Sequence, residues 1–235
     1  MEHRPSQCVD GERLWRRLMQ LAQFGARSDG GVDRPSLSDN EIGARAEVVA
    51  WGRQIGLTPY TDALANLFLR LDGTRPELAP VLAGSHIDSQ PTGGKFDGAF
   101  GVLAALEAVE AIVASGRRPD RSIEVVAWTN EEGSRFSPGM SGSEAFTGVK
   151  MPAALLGVED AAGCSVRDAV AALLARDHDI AHRDFGWVPA AFVEPHIAQG
   201  PILERLGVPI GVVACMQGPR RYRIRVTGAG APAGA

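Results

Sequence analysis

The sequence contains few cysteines and no excess of positive charge. Its 235 residues include three cysteines, Cys8, Cys164 and Cys215, which lie far apart and form no Cys-x-x-Cys pair. This usage is typical of a reducing compartment rather than of a disulfide framework. The 24 lysines and arginines are outnumbered by 28 acidic residues, so the net charge is −4. We therefore expect no nucleic-acid partner, because such a partner requires a basic surface.

Long apolar segments are also absent from the sequence. No stretch is long enough and sufficiently free of charge to span a bilayer. Residues 1–20 scatter charges among their apolar residues and lack the apolar core of a secretory signal. These features predict a cytoplasmic protein with no membrane partner.

What the sequence does contain is an alternation of predicted strands and helices. Its length fits one large domain, and a hydrophobic fraction of 45% is enough for a substantial core. Helical spacing, a capping box and an apolar stretch predict helices over residues 11–24, 39–56, 99–114 and 166–175. Apolar runs predict strands over residues 66–71, 81–84, 123–128, 191–193, 210–215 and 222–226. The alternation indicates an α/β layered domain.

A glycine-rich loop follows the predicted strand 81–84 and carries His86, Asp88 and Asp97. Ligands of open α/β sheets bind beyond the carboxyl ends of strands, where this loop lies. An imidazole binds a divalent metal through one nitrogen while a carboxylate holds the other, which would make His86 a ligand and Asp88 its orienting partner. Alone, the His-x-Asp pair is more typical of a surface histidine beside a capping aspartate. Asp97 also suits the start of a helix, where a carboxylate is favourable in any case. The glycines around it allow the backbone to bend close to a metal site, however, and its two carboxylate oxygens could bridge two ions.

Two adjacent glutamates, Glu131 and Glu132, follow the predicted strand 123–128. Adjacent residues of a regular strand point to opposite sides, so both reach one site only where the strand has ended. One member of this glutamate pair would then bind metal, and the other would accept a proton from a metal-activated water. A solvated acidic turn is the alternative. We favour the functional interpretation because a predicted buried strand leads into the pair and the His-x-Asp loop precedes it.

Three further side chains are candidates on weaker grounds. His196 follows the short predicted strand 191–193, so it is a candidate ligand at a third strand end, although an isolated histidine is by default a core or surface residue. Arg135, in the Ser/Gly-rich loop 133–142, is a candidate for contact with a substrate carboxylate, with a surface arginine as the simpler alternative. Gln199 is a candidate for a polar substrate head group, with the same alternative.

Taken together, the motif-bearing segments resemble a known group of enzymes. The similarity to the amidase/hydantoinase/carbamoylase group of dinuclear-metal hydrolases is carried by GSHIDSQPTGGKFDGAFGVLAALEAVEAI, WTNEEGSRFSPGMSGSEAFTG and EPHIAQGPILE, and extends over about residues 11–226. That group includes N-carbamoyl-L-amino acid hydrolases, allantoate amidohydrolases and β-ureidopropionases. It is related to aminoacylases and carboxypeptidase-type exopeptidases. The resemblance implies an α/β, three-layer, mixed-sheet catalytic domain of the zinc-exopeptidase type.

The resemblance also implies a role for each candidate residue. The metal ligands would be His86, Asp97, Glu132 and His196. Among these, Asp97 would bridge both metals and Glu132 would bind the second. Glu131 would be the general base, and Asp88 would orient His86. The two divalent ions would be zinc, manganese, cobalt or nickel, which all suit a mixed nitrogen and oxygen site.

The sequence departs from the pattern of this group near its end. Members are much longer and carry an inserted lid-like dimerisation domain, after which the chain returns to supply a last histidine to the second metal. Residues 228–234 stand where the group has Gly-x-x-x-His-Ala-Gly, whose histidine stabilises the oxyanion of a neighbouring active site. Pro232 occupies the position of that histidine, and Ala198 replaces an acidic residue usual in the third segment.

These departures predict a catalytic domain that is incomplete at the C-terminus. We expect residues 1–220 to be the N-terminal part of the metal-binding domain, and residues 221–235 to be the start of a missing lid domain or a frayed tail. A homodimer is expected of full-length relatives and not necessarily of this chain. The Gly/Ala/Pro-rich tail suggests a truncated or frame-shifted product, a hypothesis that fails if the downstream DNA encodes no continuation of the pattern in any frame.

Three functions remain open on the sequence. The first is metal-dependent hydrolysis of a linear C–N bond in a small N-carbamoyl or ureido substrate. The second is a non-catalytic fragment that binds one metal or none and exposes apolar surface to a partner. The third is an aminoacylase or exopeptidase of the related branch, against which His196 and the loop 133–142 argue mildly.

Overall fold

The structure is a computed structural model and describes residues 4–216, 218 and 222. The chain divides into two units, Met1–Ile197 and Ala198–Ala235. In its described part, the second unit contains the short helix α7 (Ile202–Leu206). No helix among the described residues combines the length and the apolar character needed to cross a membrane.

A six-stranded mixed sheet forms the centre of the first unit. Its strands in chain order are β1 (Thr58–Thr61), β2 (Leu67–Leu71), β3 (Val81–His86), β4 (Ile123–Trp128), β5 (Ala181–His182) and β6 (Ala191–Val193). Their order in space is β5-β1-β2-β4-β3-β6. β2 is antiparallel to both β1 and β4, whereas β3 is parallel to both β4 and β6. The carboxyl ends of β3, β4 and β6 therefore lie together at one end of the sheet.

Helices and loops surround this sheet. The helices of the first unit are α1 (Gly11–Leu21), α2 (Asp39–Gln54), α3 (Ala99–Ala114), α4 (Ser141–Phe146), α5 (Pro152–Leu156) and α6 (Val166–Arg176), preceded by a short 3-10 helix (Pro5–Gln7). Side-chain caps begin α1 and α2, where Asp10 accepts the N–H of Arg13 and Ser38 accepts that of Glu41. Such caps satisfy N–H groups that have no partner inside the helix.

Alternate residues of the central strands pack on opposite faces of the sheet. Leu67 and Leu69 of β2 lie in a core shared with α1, α2 and α3. Phe68, between them, points the other way and packs with Trp128 and with Phe146 of α4. This period of two is the pattern of a strand that is buried on both faces. The sheet is accordingly covered on both sides, and the predicted layered α/β fold is confirmed.

Most of the predicted elements are present, with exceptions that have physical causes. The strand predicted over residues 210–215 is wrong, because these residues are exposed and pair with no strand among the described residues. The strand predicted over residues 222–226 falls outside the described residues apart from Tyr222. β1 was not predicted, since it has four residues including Pro59 and shows no clear alternation. The predicted boundary at residue 220 stays a prediction.

Candidate metal centre

Three strand ends bring the candidate residues together. In the parallel β3–β4 pair, His86 is opposite Trp128, and each is the last residue of its strand. Asp88 lies two residues beyond β3, Glu131 lies three residues beyond β4, and His196 lies three residues beyond β6. Side chains from separate parts of the chain therefore meet at the same end of the sheet.

His86, Asp97 and His196 form a group suited to a metal ion. One ligand atom from each lies within 4.8 Å of those of the other two. Nε2 of His196 is 3.3 Å from Oδ1 of Asp97, and the rings of His196 and His86 are 6.1 Å apart. His86 is buried, whereas His196 is exposed, so the group is open on one side. Two imidazoles and a carboxylate with one open side are typical of a catalytic site for zinc or a similar divalent ion.

Gly98 allows α3 to begin directly against the ring of His86. Its φ of 64° is in the left-handed region, which favours glycine. A Cβ atom at this position would lie 2.4 Å from both Cε1 and Nε2 of His86. The missing side chain is therefore what lets Asp97, which precedes Gly98, approach the histidine.

Asp88 connects His86 to the glutamate pair. The Asp88 side chain is fully buried, its Oδ1 is 3.3 Å from Nδ1 of His86, and its main-chain carbonyl is 3.0 Å from the same nitrogen. The carboxylate also accepts the N–H groups of Glu131 and Glu132, at 3.3 and 3.2 Å. With Nδ1 engaged, Nε2 is the atom of His86 that is left for a metal, and it lies 3.5 Å from Oε2 of Glu131.

A turn places both members of the glutamate pair at the site. β4 ends at Trp128, and Asn130 has a left-handed φ of 54°. The side chain of Asn130 holds the turn by donating to the carbonyl of Phe136 and to the hydroxyl of Ser141, both at 2.8 Å. The strand has thus ended before the glutamates, which was the condition for both of them to reach one site.

The second glutamate of the pair has an unsatisfied oxygen. Oε2 of Glu132 accepts a hydrogen bond from the Gln90 amide at 2.6 Å. Oε1 of Glu132 is buried and has no hydrogen-bond partner among the described residues. Buried acceptors normally have a donor or an ion. A partnerless carboxylate oxygen here fits a divalent cation.

The electrostatic surroundings of His86 are negative. Burial lowers the pKa of His86, but the hydrogen bond and charge of Asp88, with the glutamate pair, outweigh burial and raise it to about 9. Burial also raises the pKa of Glu131 against the opposing charge of His86. The carboxylates of Asp88, Glu132 and Glu194 raise the pKa of Glu131 further. Surroundings that hold a proton on an imidazole also attract a divalent cation.

Comparison with known proteins agrees with this geometry. Residues 82–235 match peptidase family M20/M25/M40. The chain belongs to this family. It is 43% identical over 229 residues to an N-carbamoyl-L-amino acid amidohydrolase of Geobacillus stearothermophilus, which covers 97% of this chain and 56% of that protein. It is 37% identical over 231 residues to a ureidoglycolate hydrolase of Oryza sativa subsp. japonica, which covers 97% of this chain and 48% of that protein.

Solved structures show the same similarity. A crystal structure of a hydantoinase/carbamoylase family amidase from Burkholderia ambifaria is 45% identical with a TM-score of 0.81, covering 85% of this M20-family chain and 48% of that one. The resemblance to the carbamoylase group is thereby confirmed. The chain spans about half the length of the curated relatives it matches.

The described contacts of Arg135 are with residues outside the candidate metal centre of this M20-family chain. The guanidinium of Arg135 is 3.0 Å from Asp160 and donates to the carbonyls of Ser36 and Leu37. It thus joins two loops, and its role in substrate binding stays a prediction. Gln199 belongs to the second unit, and its role also stays a prediction.

Glu194 is a residue of the site that sequence reasoning missed. It follows β6 directly, accepts the hydroxyl hydrogen of Ser85 and influences the pKa of Glu131. A signal was available, since Glu194 stands two residues from His196 as Asp88 stands two residues from His86. A spacing of two residues between an acid and a histidine thus occurs at two strand ends.

Proposed function

We propose that this chain is the catalytic part of a metal-dependent hydrolase that cleaves linear amide or ureido C–N bonds. The observation that carries this proposal is the grouping of His86, Asp97 and His196 within 4.8 Å beside the carboxylate of Glu131. The substrate class is an N-carbamoyl-L-amino acid, allantoate or β-ureidopropionate type compound. Relatives named N-carbamoyl-L-amino acid amidohydrolase, ureidoglycolate hydrolase and allantoate deiminase support this class.

The chain would hold two divalent ions, drawn from zinc, manganese, cobalt and nickel. His86, Asp97 and His196 would bind the first, and Asp97 with Glu132 would bind the second. When bound, such ions polarise a carbonyl and lower the pKa of water. Oε1 of Glu132, which is buried without a hydrogen-bond partner in the described part of the chain, supports its place in this set.

Glu131 is the proposed general base. Its side chain is 34% exposed, so water and substrate can reach it, and its Oε2 lies 3.5 Å from the free nitrogen of His86. Its raised pKa suits a group that takes a proton from water and passes it to the leaving nitrogen. Asp88 holds His86 in one orientation, while Arg135 and Gln199 are the weaker candidates for contact with the substrate.

The wider setting is part of the same proposal. We place the chain in the cytoplasm, with residues 1–220 as the N-terminal part of a catalytic domain and residues 221–235 as the start of a lid segment or a tail. A homodimer, as the resemblance implies for full-length relatives, is checked by light scattering.

Ammonia release tests the proposed reaction. The purified chain is assayed on N-carbamoyl-L-amino acids, allantoate and β-ureidopropionate, with manganese, zinc or cobalt, and with a chelator as control. We expect metal-dependent turnover that falls about 10²- to 10⁴-fold in Glu131→Gln, since a base contributes about that factor. Glu12→Gln is the matched control, because Glu12 is exposed in the first turn of α1 and should leave turnover unchanged.

Each other outcome contradicts a named part of the proposal. Full turnover in Glu131→Gln would exclude this residue as the base. Release of an amine from N-acyl amino acids or dipeptides, without ammonia from the ureido compounds, would indicate the aminoacylase or exopeptidase branch. No turnover on any substrate would favour a non-catalytic fragment.

A further inference from the structure

A buried arginine, Arg34, lies against the loop that carries Asp88. Only 1% of its surface is exposed, and it is among the largest fully buried side chains. Burying a charge is costly unless the charged group is fully hydrogen-bonded. The groups that satisfy Arg34 therefore show what it holds in place.

The guanidinium of Arg34 joins α1 to the loop after β3. Its Nε donates to the carbonyl of Ile87 at 2.6 Å, and Ile87 is the residue between His86 and Asp88. Its Nη1 donates to the carbonyls of Leu21 and Phe24, at 2.9 and 3.0 Å. Leu21 is the last residue of α1, so a cation sits at a helix end where carbonyls lack partners.

The main chain beside Arg34 holds the same loop on the other side of Asp88. The N–H of Ser89 donates to the carbonyl of Arg34 at 2.8 Å, and the N–H of Arg34 donates to the hydroxyl of Ser89 at 3.0 Å. Val32 and Gly93 exchange two further main-chain hydrogen bonds, at 2.9 and 3.0 Å. Asp88 is thus flanked by two residues that Arg34 contacts directly.

The charge of Arg34 also acts on this carboxylate. Burial lowers the pKa of Arg34 to about 10, and the charges of Glu41 and Asp88 oppose that decrease. Arg34 is therefore a cation at neutral pH, close enough to Asp88 for the two charges to interact. Asp88 in turn accepts the N–H groups of the glutamate pair.

We propose that Arg34 is a positioning residue of the metal centre, an inference that rests on the function proposed above. It fixes the main chain on both sides of Asp88, so that this carboxylate reaches both His86 and the glutamate pair. Arg34 touches neither the substrate nor the ions and acts through Asp88 alone.

The test compares Arg34→Lys with Arg17→Lys. Lysine keeps the positive charge but replaces the planar guanidinium with a single ammonium nitrogen. That nitrogen cannot donate to both Ile87 and the end of α1 with the same geometry. Arg17 is a matched control, because it is also largely buried and joins α1 to α3 through Glu110 at 2.6 Å. Amide hydrogen exchange is measured at Glu131 and Glu132 in the metal-free chain, and Co²⁺ affinity by the visible spectrum of the bound ion.

We expect faster exchange at both glutamate amides in Arg34→Lys and Co²⁺ binding about 10- to 100-fold weaker, as for other residues that orient metal ligands. Arg17→Lys should change neither measurement. A folded Arg34→Lys variant with unchanged exchange and Co²⁺ affinity would overturn the proposal. If Arg34→Lys does not fold, Ser89→Ala tests the main-chain contact on the other side of Asp88, since it removes the hydroxyl that accepts the Arg34 N–H without stranding a charge. Unchanged exchange and Co²⁺ affinity in that variant would overturn the role of this contact.

The two readouts separate this proposal from the proposed function. If the unaltered chain binds no Co²⁺, the metal centre itself is wrong. Exchange at the glutamate amides is measured without metal and still decides the role of Arg34.

Discussion

Replacement of Gly98 by alanine is the sharpest test of the packing at the metal centre. The φ of 64° at this position costs a residue with a side chain about 1–2 kcal/mol. The new Cβ would lie 2.4 Å from two ring atoms of His86, compared with about 3.5 Å for carbon atoms in contact. His86 is 1% exposed and held at Nδ1 by Asp88, so its ring cannot simply rotate into solvent.

A second glycine, near the other end of α3, separates the cost of backbone strain from the cost of the clash with His86. Gly116, just beyond the end of α3, has a φ of 76°, and a Cβ there would meet none of the described residues within 4 Å. Gly116→Ala should lower the free energy of unfolding by about 1–2 kcal/mol through backbone strain alone. Gly98→Ala adds an overpacking cost of about 1–3 kcal/mol, for a total loss of about 2–5 kcal/mol.

Urea unfolding of the metal-free chains and Co²⁺ titration measure the two effects. Because the clash displaces His86, a proposed ligand, Gly98→Ala should bind Co²⁺ about 10- to 100-fold more weakly, while Gly116→Ala should bind it normally. Equal stability loss and equal Co²⁺ affinity in the two variants would refute the reasoning. The start of α3 and the ring of His86 would then not be in contact.

Two further perturbations have defined outcomes. In the proposed metal centre, a proton would compete with the metal for His86, whose pKa is about 9. Co²⁺ affinity should therefore rise roughly tenfold from pH 7 to pH 8 and level off at higher pH, and a flat profile would contradict this. Glu124, fully buried at the opposite end of β4, pairs with Arg70 at 2.9 Å and with Arg183. Glu124→Gln should lower the free energy of unfolding, measured in urea, by about 3 kcal/mol and leave the Co²⁺ affinity unchanged. A loss under about 1 kcal/mol would show that these salt bridges contribute no more than solvent-exposed ones do.

The central elements were predictable because burial constrains them. β3, β4 and α3 are predominantly apolar, since each lies between other layers. The short outer strands β1 and β5 carry little such constraint, and their pairing depends on neighbours that the local sequence does not reveal. Residues 210–215 show the converse, because apolar β-branched residues make a strand only where another strand offers hydrogen bonds.

The site was predictable where chemistry follows a strand end. The histidines and carboxylates after β3, β4 and β6 carry a residue type and a spacing that sequence can reveal. Arg34 carries neither, because an arginine in a loop after α1 is normally exposed, and its partners are main-chain carbonyls that leave no trace in the sequence. Asn130 is similar, since its importance comes from a left-handed backbone and not from its neighbours in the chain.

The marginal attachment of β6 has a kinetic consequence. This strand has three exposed residues, is terminal in the sheet and pairs with β3 at Val81–Ala83. Segments with few buried contacts open at a lower free energy than the whole domain unfolds. Detachment of β6 would withdraw His196 while His86 and Asp97 stay in place. In the proposed metal centre, fraying of this strand, rather than unfolding of the protein, would then set the residence time of an ion.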